Sequence, residues 1–286
     1  MAVHPGGRGH HRKEPVMNPL PDPLTLLLDP LSLVVFAIYA ALLAWEAVAP
    51  ARPLPPVRRW RALAFTSFGV YFLLSSYLPL LWSDALGAWQ LVDLSALGTW
   101  AGAAVGLVVY ELAAYAYHRT IHASGPLFRA VHQMHHSAER LDAASAFWFH
   151  PLDMIGWTAV FSLALTLVVG LAPEATTVVL LATTFMAIFQ HSNVRTPRWL
   201  GYVVQRPESH SYHHERGVHA RNYADLPMVD LLFGTFHNPP GFAPETGFAD
   251  GDSRRVLDLL LGRNLRGQAV ASTAHPGHPA GQVPAA

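Results

Sequence analysis

The chain has 286 residues, zero formal net charge and no cysteine, and only 13% of its positions are charged, against a usual share of about a quarter. The missing cysteine excludes disulfides, thiolate ligands, iron–sulfur clusters and catalytic thiols, and the charge balance offers no footprint for a nucleic acid. With a mean hydropathy of +0.24, the composition points to a membrane protein; Lys13 is its lone lysine, an Arg-for-Lys usage that suits a GC-rich bacterium.

Residues 1–23 are rich in Pro, Gly and His without an apolar period and are expected to be a disordered tail. Five stretches then approach the roughly 20 apolar residues that a bilayer crossing needs: 31–49, 62–82, 98–117, 154–171 and 175–189. No secretory cleavage site follows the first, so all five are expected in the mature protein. The fourth and fifth are short and joined by Ala172-Pro173-Glu174, which predicts a tight hairpin. Residues 24–97 read as N-terminal membrane helices, 98–240 as the functional domain and 241–286 as a C-terminal segment, disordered from about 267.

Charge orients the spans. Arg52, Arg58, Arg59 and Arg61 lie between the first and second, and Asp84 and Asp93 between the second and third. The positive-inside rule makes the first loop cytoplasmic. Spans three and five then both deliver the chain to the cytoplasmic face, and every clustered histidine falls there.

Seventeen residues are His. His4, His10, His11, His275 and His278 lie in the tails and are expected to face solvent. The first cluster, His118-Arg-Thr-Ile-His122, has i, i+4 spacing, which puts two imidazoles on one helix face. Glu111 shares that face inside the third span, where a carboxylate is costly and suggests a function; orienting a ligand imidazole is the expected role, with polar packing as the rival. Ser124-Gly125-Pro126 breaks the helix and folds back the second cluster, His132-Gln-Met-His135-His136. That break argues against paired haem ligands on one straight helix. His191 stands alone at the return of the hairpin, and His210-Ser-Tyr-His213-His214 repeats the HxxHH spacing. His150, among aromatics before span four, reads equally as a ligand or as a hydrogen bonder in a pocket wall. His219 reads as a spare ligand or proton donor, and His237 as structural.

Nine clustered imidazoles, with His150 a tenth candidate, are too many for one ion and suit two ions with four or five ligands each. Nitrogen ligands alone do not choose among iron, zinc, copper and nickel. No HExxH, GxSxG or Walker pattern is present, which leaves redox chemistry on a membrane-supplied substrate as the leading reading. Its rivals are a di-zinc membrane hydrolase and a membrane metal transporter or store; a transporter places its ligands mid-membrane, not at one end.

Taken in order, Glu111, His118, Arg119, His122, His132-Gln-Met-His135-His136, His150-Pro-Leu-Asp153, His191-Ser-Asn193, His210, His213-His214, Asn222-Tyr223 and Asp230-Leu-Leu-Phe-Gly-Thr-Phe236 resemble the fatty acid hydroxylase/sterol desaturase superfamily of membrane di-iron oxygenases. The resemblance covers about 98–236, and the His-Pro-Leu-Asp element looks nearer the C5-sterol-desaturase branch. Ala224 and Val229 depart from the family pattern outside the ligand set. The resemblance implies an all-α polytopic membrane bundle of four or five spans with a cytoplasmic helical cap holding a dinuclear histidine site. It implies two iron ions, with zinc as the substitute in purified protein, and O2 as co-substrate. The implied partners are a sterol-like or fatty-acyl lipid and an electron donor such as a cytochrome b5-like protein or a ferredoxin and its reductase. The implied ligands are His118, His122, His132, His135, His136, His191, His210, His213, His214 and, as an addition, His150. Glu111 and Asp230 are expected to orient imidazoles. From the Arg-for-Lys usage and the charge topology, the expected location is a bacterial inner membrane with the metal site on the cytoplasmic side.

Overall fold

The computed structural model describes residues 20–265; the five tail histidines lie outside them. Among the described residues all regular structure is helical, apart from one isolated bridge between Glu215 and Thr246. Helix α1 (Pro23–Leu28) starts at the expected tail boundary, with Asp22 accepting from the amides of Leu24 and Thr25. Asp29 caps α2 (Pro30–Val48) through the amide of Leu31, and Pro30 occupies the first turn, where its missing N–H costs nothing.

Five helical stretches are long and apolar enough to cross a membrane. They are α2, α3 (Trp60–Ala88), α4 (Gly98–Ala123), α7 (Pro151–Ser162, continued by a π-helical turn Leu163–Val168) and α8 (Pro173–His191). These are the five expected spans. The third and fifth run further than hydropathy alone predicts, because the histidines at their ends complete helical turns. Between α4 and α7 lie α5 (Gly125–Leu127), a π-helical turn (Phe128–His132) and α6 (Gln133–His136). After α8 come α9 (Pro207–His213), α10 (Pro227–Phe233) and α11 (Val256–Leu260).

Helix α4 is central and lies against the α7–α8 hairpin. At Gly106 an added Cβ would come within 2.3 Å of Leu171 Cδ1 and 3.3 Å of Val179 Cγ2. Apolar side chains gain nothing by leaving lipid for each other, so spans associate where small residues let backbones approach. At one end of the bundle, Leu91 and Leu94 donate to the carbonyls of Leu167 and Gly170, closing α4's entry onto the end of the fourth span. Helices α4 and α8 therefore both finish at the opposite end, where α7 begins.

The cap forms there, from 124–150 and 192–265. Span residues hold it down: Glu46 of α2 accepts from the amides of Ala143 and Asn193, and Trp60 of α3 donates to Asp142. The basic loop after α2 is at this end too, with Arg52 donating to Ala243 O. Residues 241–265 also belong to the cap: Gln133 donates to Arg263 O and accepts from Leu265 N.

Candidate metal centre

The nine clustered histidines meet at the capped end in two sets. His118, His122, His132, His136 and His213 form one; His135, His191, His210 and His214 form the other. Within each set the ligand-capable atoms all lie within 4.8 Å of one another. Both HxxHH boxes are divided between the sets. Box one sends its i, i+4 pair, His132 and His136, to the five-histidine set and His135 to the other. Box two sends its i, i+4 pair, His210 and His214, to the four-histidine set and His213 to the other. Helical geometry explains the division: residues four apart share a face, whereas a residue next to one of them points about 100° away.

In the five-histidine set the Nδ1 atoms are held from behind. His118 Nδ1 donates to Tyr223 O (2.8 Å), His122 Nδ1 to His219 O (2.9 Å) and His213 Nδ1 to Arg221 O (2.6 Å). Three alternate carbonyls of one loop thus orient three rings. That loop carries left-handed backbone at His219 (φ 46°), Arg221 (φ 70°) and Asn222 (φ 51°), each costing on the order of 1–3 kcal/mol. Asn222 offsets the strain by donating to Ser209 O and His237 O while accepting from His237 N. The fourth ring, His132, donates from Nδ1 to Asp153 Oδ2 at 2.6 Å. The fifth, His136, has its Nδ1 3.0 Å from His219 Nδ1.

This arrangement tests whether a metal fits. A carbonyl or carboxylate oxygen only accepts, so the proton of His118 and of His132 sits on Nδ1 and both Nε2 atoms carry bare lone pairs. Yet these two Nε2 atoms are 3.0 Å apart. Two lone pairs facing each other repel; a cation between them removes the conflict. The Nε2 atoms of His122, His136 and His213 are likewise buried without a hydrogen-bond partner. In the four-histidine set, Nε2 contacts run from His135 to His191 (3.1 Å), His191 to His210 (3.1 Å) and His210 to His214 (3.2 Å). Four or more nitrogens each about 2.1 Å from one ion would lie roughly 3.0–3.4 Å apart. The donor sets fit two ions. Burial first, and then neighbouring imidazoles, hold His135, His136, His210, His213 and His214 well below the usual histidine range, so these rings are neutral and free to ligate.

The other expectations fare differently. His150 is not in either set. It caps α7, with Nδ1 accepting from Leu152 N and Nε2 donating to Leu260 O; it forms hydrogen bonds there but does not line the cavity beside the two sets. Glu111 does not reach an imidazole: its Oε2 accepts from the amides of Asp225 and Leu226. Asp230 accepts from the amides of Tyr223 and Ala224 and from Thr235. Both carboxylates therefore brace the loop whose Tyr223 carbonyl orients His118, one step further back than expected. A helical-face argument cannot see this, because the intervening group is a backbone amide. The carboxylate that does orient an imidazole is Asp153, whose place in the first turn of α7 beside a histidine was the available signal. His219 lies outside both sets, its carbonyl and ring backing His122 and His136. His237 lies outside both sets and packs against Tyr212.

A cavity of about 80 Å³ lies alongside both sets, bordered by His118 and His132 from one and His135, His191 and His210 from the other. Tyr71, Tyr110, Phe147, Phe149, Trp157 and Tyr223 supply its apolar wall, and Gln190 and Asp225 are its chief polar groups besides the imidazoles. Burial pushes the Asp225 carboxyl up to about 6.

Residues 103–235 match the family model described as fatty acid hydroxylase. The chain is also similar to a curated protein, the ornithine lipid hydroxylase OlsE of Rhizobium tropici, at 33% identity over 141 residues. That match covers 48% of this chain and 42% of the relative, so the shared part is less than half of either protein. No solved structure matches the chain.

Proposed function

We propose, from the premise that residues 103–235 of this chain are a domain of the fatty acid hydroxylase superfamily, that the protein is a membrane-bound oxygenase that hydroxylates a membrane lipid. The overall balance is R–H + O2 + 2 e⁻ + 2 H⁺ → R–OH + H2O. The electrons come from a separate donor of the cytochrome b5 or ferredoxin type, since the chain carries no flavin or nicotinamide fingerprint. The relative from Rhizobium tropici is by its name a hydroxylase of ornithine lipid, which favours a polar-headed lipid over a sterol.

The observation that carries the reading is the opposed pair of bare Nε2 atoms on His118 and His132, within the five-histidine set that adjoins a second set of four. His118, His122, His132, His136 and His213 would hold one ion, and His135, His191, His210 and His214 the other. When bound, a pair of iron ions supplies the redox chemistry that O2 reduction and C–H oxidation require. The chain's own residues do the rest. Tyr223, His219 and Arg221 carbonyls and Asp153 keep four ligand protons on Nδ1, so four Nε2 atoms face inward. Aromatic side chains form the apolar part of the wall of the cavity that borders both sets, and a wall of that kind shields a reacting carbon from water. The Arg-bearing loop at the same end as the histidines supports a cytoplasmic site in a bacterial inner membrane.

Metal analysis of protein purified without added metal tests this. About two irons per chain, with reductant-dependent oxygen uptake and a hydroxylated lipid product, is the expected result. Stoichiometric zinc with reductant-independent lipid hydrolysis would overturn it in favour of a di-zinc hydrolase.

A further inference from the structure

We propose that Asp225 is a substrate-binding residue that receives the protonated amine of a lipid headgroup in the cavity beside the metal centre; this rests on the lipid-oxygenase reading above and names the class of lipid.

Three observations carry it. First, Asp225 is held so that one oxygen is committed and the other is not. Oδ1 accepts from Gln190 Nε2 at 2.7 Å, the backbone amide is fixed by Glu111 and the backbone carbonyl accepts from Gln205 N. The residue, part of the cap, keeps partial accessibility, and it lines the cavity. Second, no cationic side chain pairs with Asp225 or with the carboxyl behind it. Glu111, completely buried, stands directly behind Asp225, and its Oε1 has no hydrogen-bond partner. No Lys or Arg lines the cavity, and the ion pairs among the described residues involve neither carboxylate. Taking a carboxylate out of water is costly unless it is paired. Third, six Tyr, Phe and Trp side chains share the wall with the imidazoles, Asn222 and three alanines. A carboxylate set among aromatic faces is the chemistry that recognises ammonium groups, since the ring quadrupole attracts a cation that the carboxylate anchors. Trp157 adds an indole N–H, buried without a partner, for an oxygen of the same headgroup.

The size agrees. A water needs roughly 10–15 Å³ in this measure, so about 80 Å³ admits an amine and a few attached carbons, not an acyl chain. The rival role for Asp225 is balancing the charge of the metals. Asp153 already meets a ligand imidazole directly, whereas Asp225 meets Gln190 and the cavity.

The test uses the full-length, metal-loaded protein in a zwitterionic detergent and two probes of equal chain length, decylammonium and decanol. Binding is read from tryptophan fluorescence and from the rise in melting temperature. We expect decylammonium to bind at least tenfold more tightly than decanol. Asp225→Asn should abolish that preference with iron content unchanged, and Asp225→Glu should retain part of it. Equal binding of both probes by the wild type overturns the proposal and needs no variant to fold. So does an amine preference that survives Asp225→Asn, or an Asp225→Asn protein that loses iron while keeping the preference. Iron content and reductant-dependent oxygen uptake of the wild type are measured in parallel: their loss would count against the oxygenase, whereas their presence with no amine preference would count against Asp225 alone.

Discussion

The two histidine sets are built from the same sequence boxes but differ in what stands behind the rings. In the five-histidine set, four Nδ1 atoms donate to oxygen acceptors, three of them carbonyls of one strained loop and the fourth Asp153. In the four-histidine set only His191 has such a partner, the carbonyl of Ala187 in its own helix; the Nδ1 atoms of His135, His210 and His214 are buried with none. A partner behind the ring fixes the tautomer and raises ligand basicity. The first set is therefore preorganised and the second is adjustable, and the cavity borders both. Spacing alone brings the imidazoles together, while the groups behind them would decide how firmly each ion is held.

The largest expected effect comes from removing a ligand of the adjustable set. His135→Ala leaves three imidazoles there, and metal content should fall from about two ions per chain to about one, with turnover reduced beyond the roughly 10–100-fold typical of outer partners. His275→Ala should change neither; equal loss in both variants would break the division between site and tail. Next is Asp153→Asn, which removes the carboxylate behind His132. Competition with a chelator should show affinity at the five-histidine set lowered about 10–100-fold, with the four-histidine set unaffected. Equal weakening of both would mean that the sets are not separable.

A third test uses metal-free protein. Burial holds His135, His136, His210, His213 and His214 below their unfolded values. Below the unfolded value of about 6.5 the unfolded chain binds more protons than the native one, so stability falls with falling pH. The melting temperature of chelated protein should drop between pH 7.5 and 5.5, and bound metal should flatten the dependence until the ligands protonate. A melting temperature that rises on acidification would contradict the neutral, buried rings described above. The smallest effect is expected at His150. Its replacement by Ala removes an N-cap from α7, worth about 1 kcal/mol, and should leave metal content intact; loss of an ion would return His150 to the ligand set.

Some of this was open to reading in the residues. HxxxH and HxxHH spacing made imidazole pairs on helix faces, and apolar run lengths marked five spans. Other parts were not. Glu111 and Asp230 were credible as partners of imidazoles because each is a costly or well-placed carboxylate, yet both bind backbone amides. The true partners of His118, His122, His191 and His213 are backbone carbonyls, and every residue has one, so no residue type announces them. Glu46, which ties α2 to two cap segments, sat unremarked near the end of an apolar span.

A membrane helix bundle with nine histidines gathered at one end is legible from the residues alone, because hydropathy and helical periodicity are local properties. The division of the nine into five and four, the pinning of particular rings and the place of Asp225 on the cavity bordering both sets come from the folded chain. Those outcomes depend on which backbone atoms of distant segments meet, and pairing of that kind is set by packing across the whole cap.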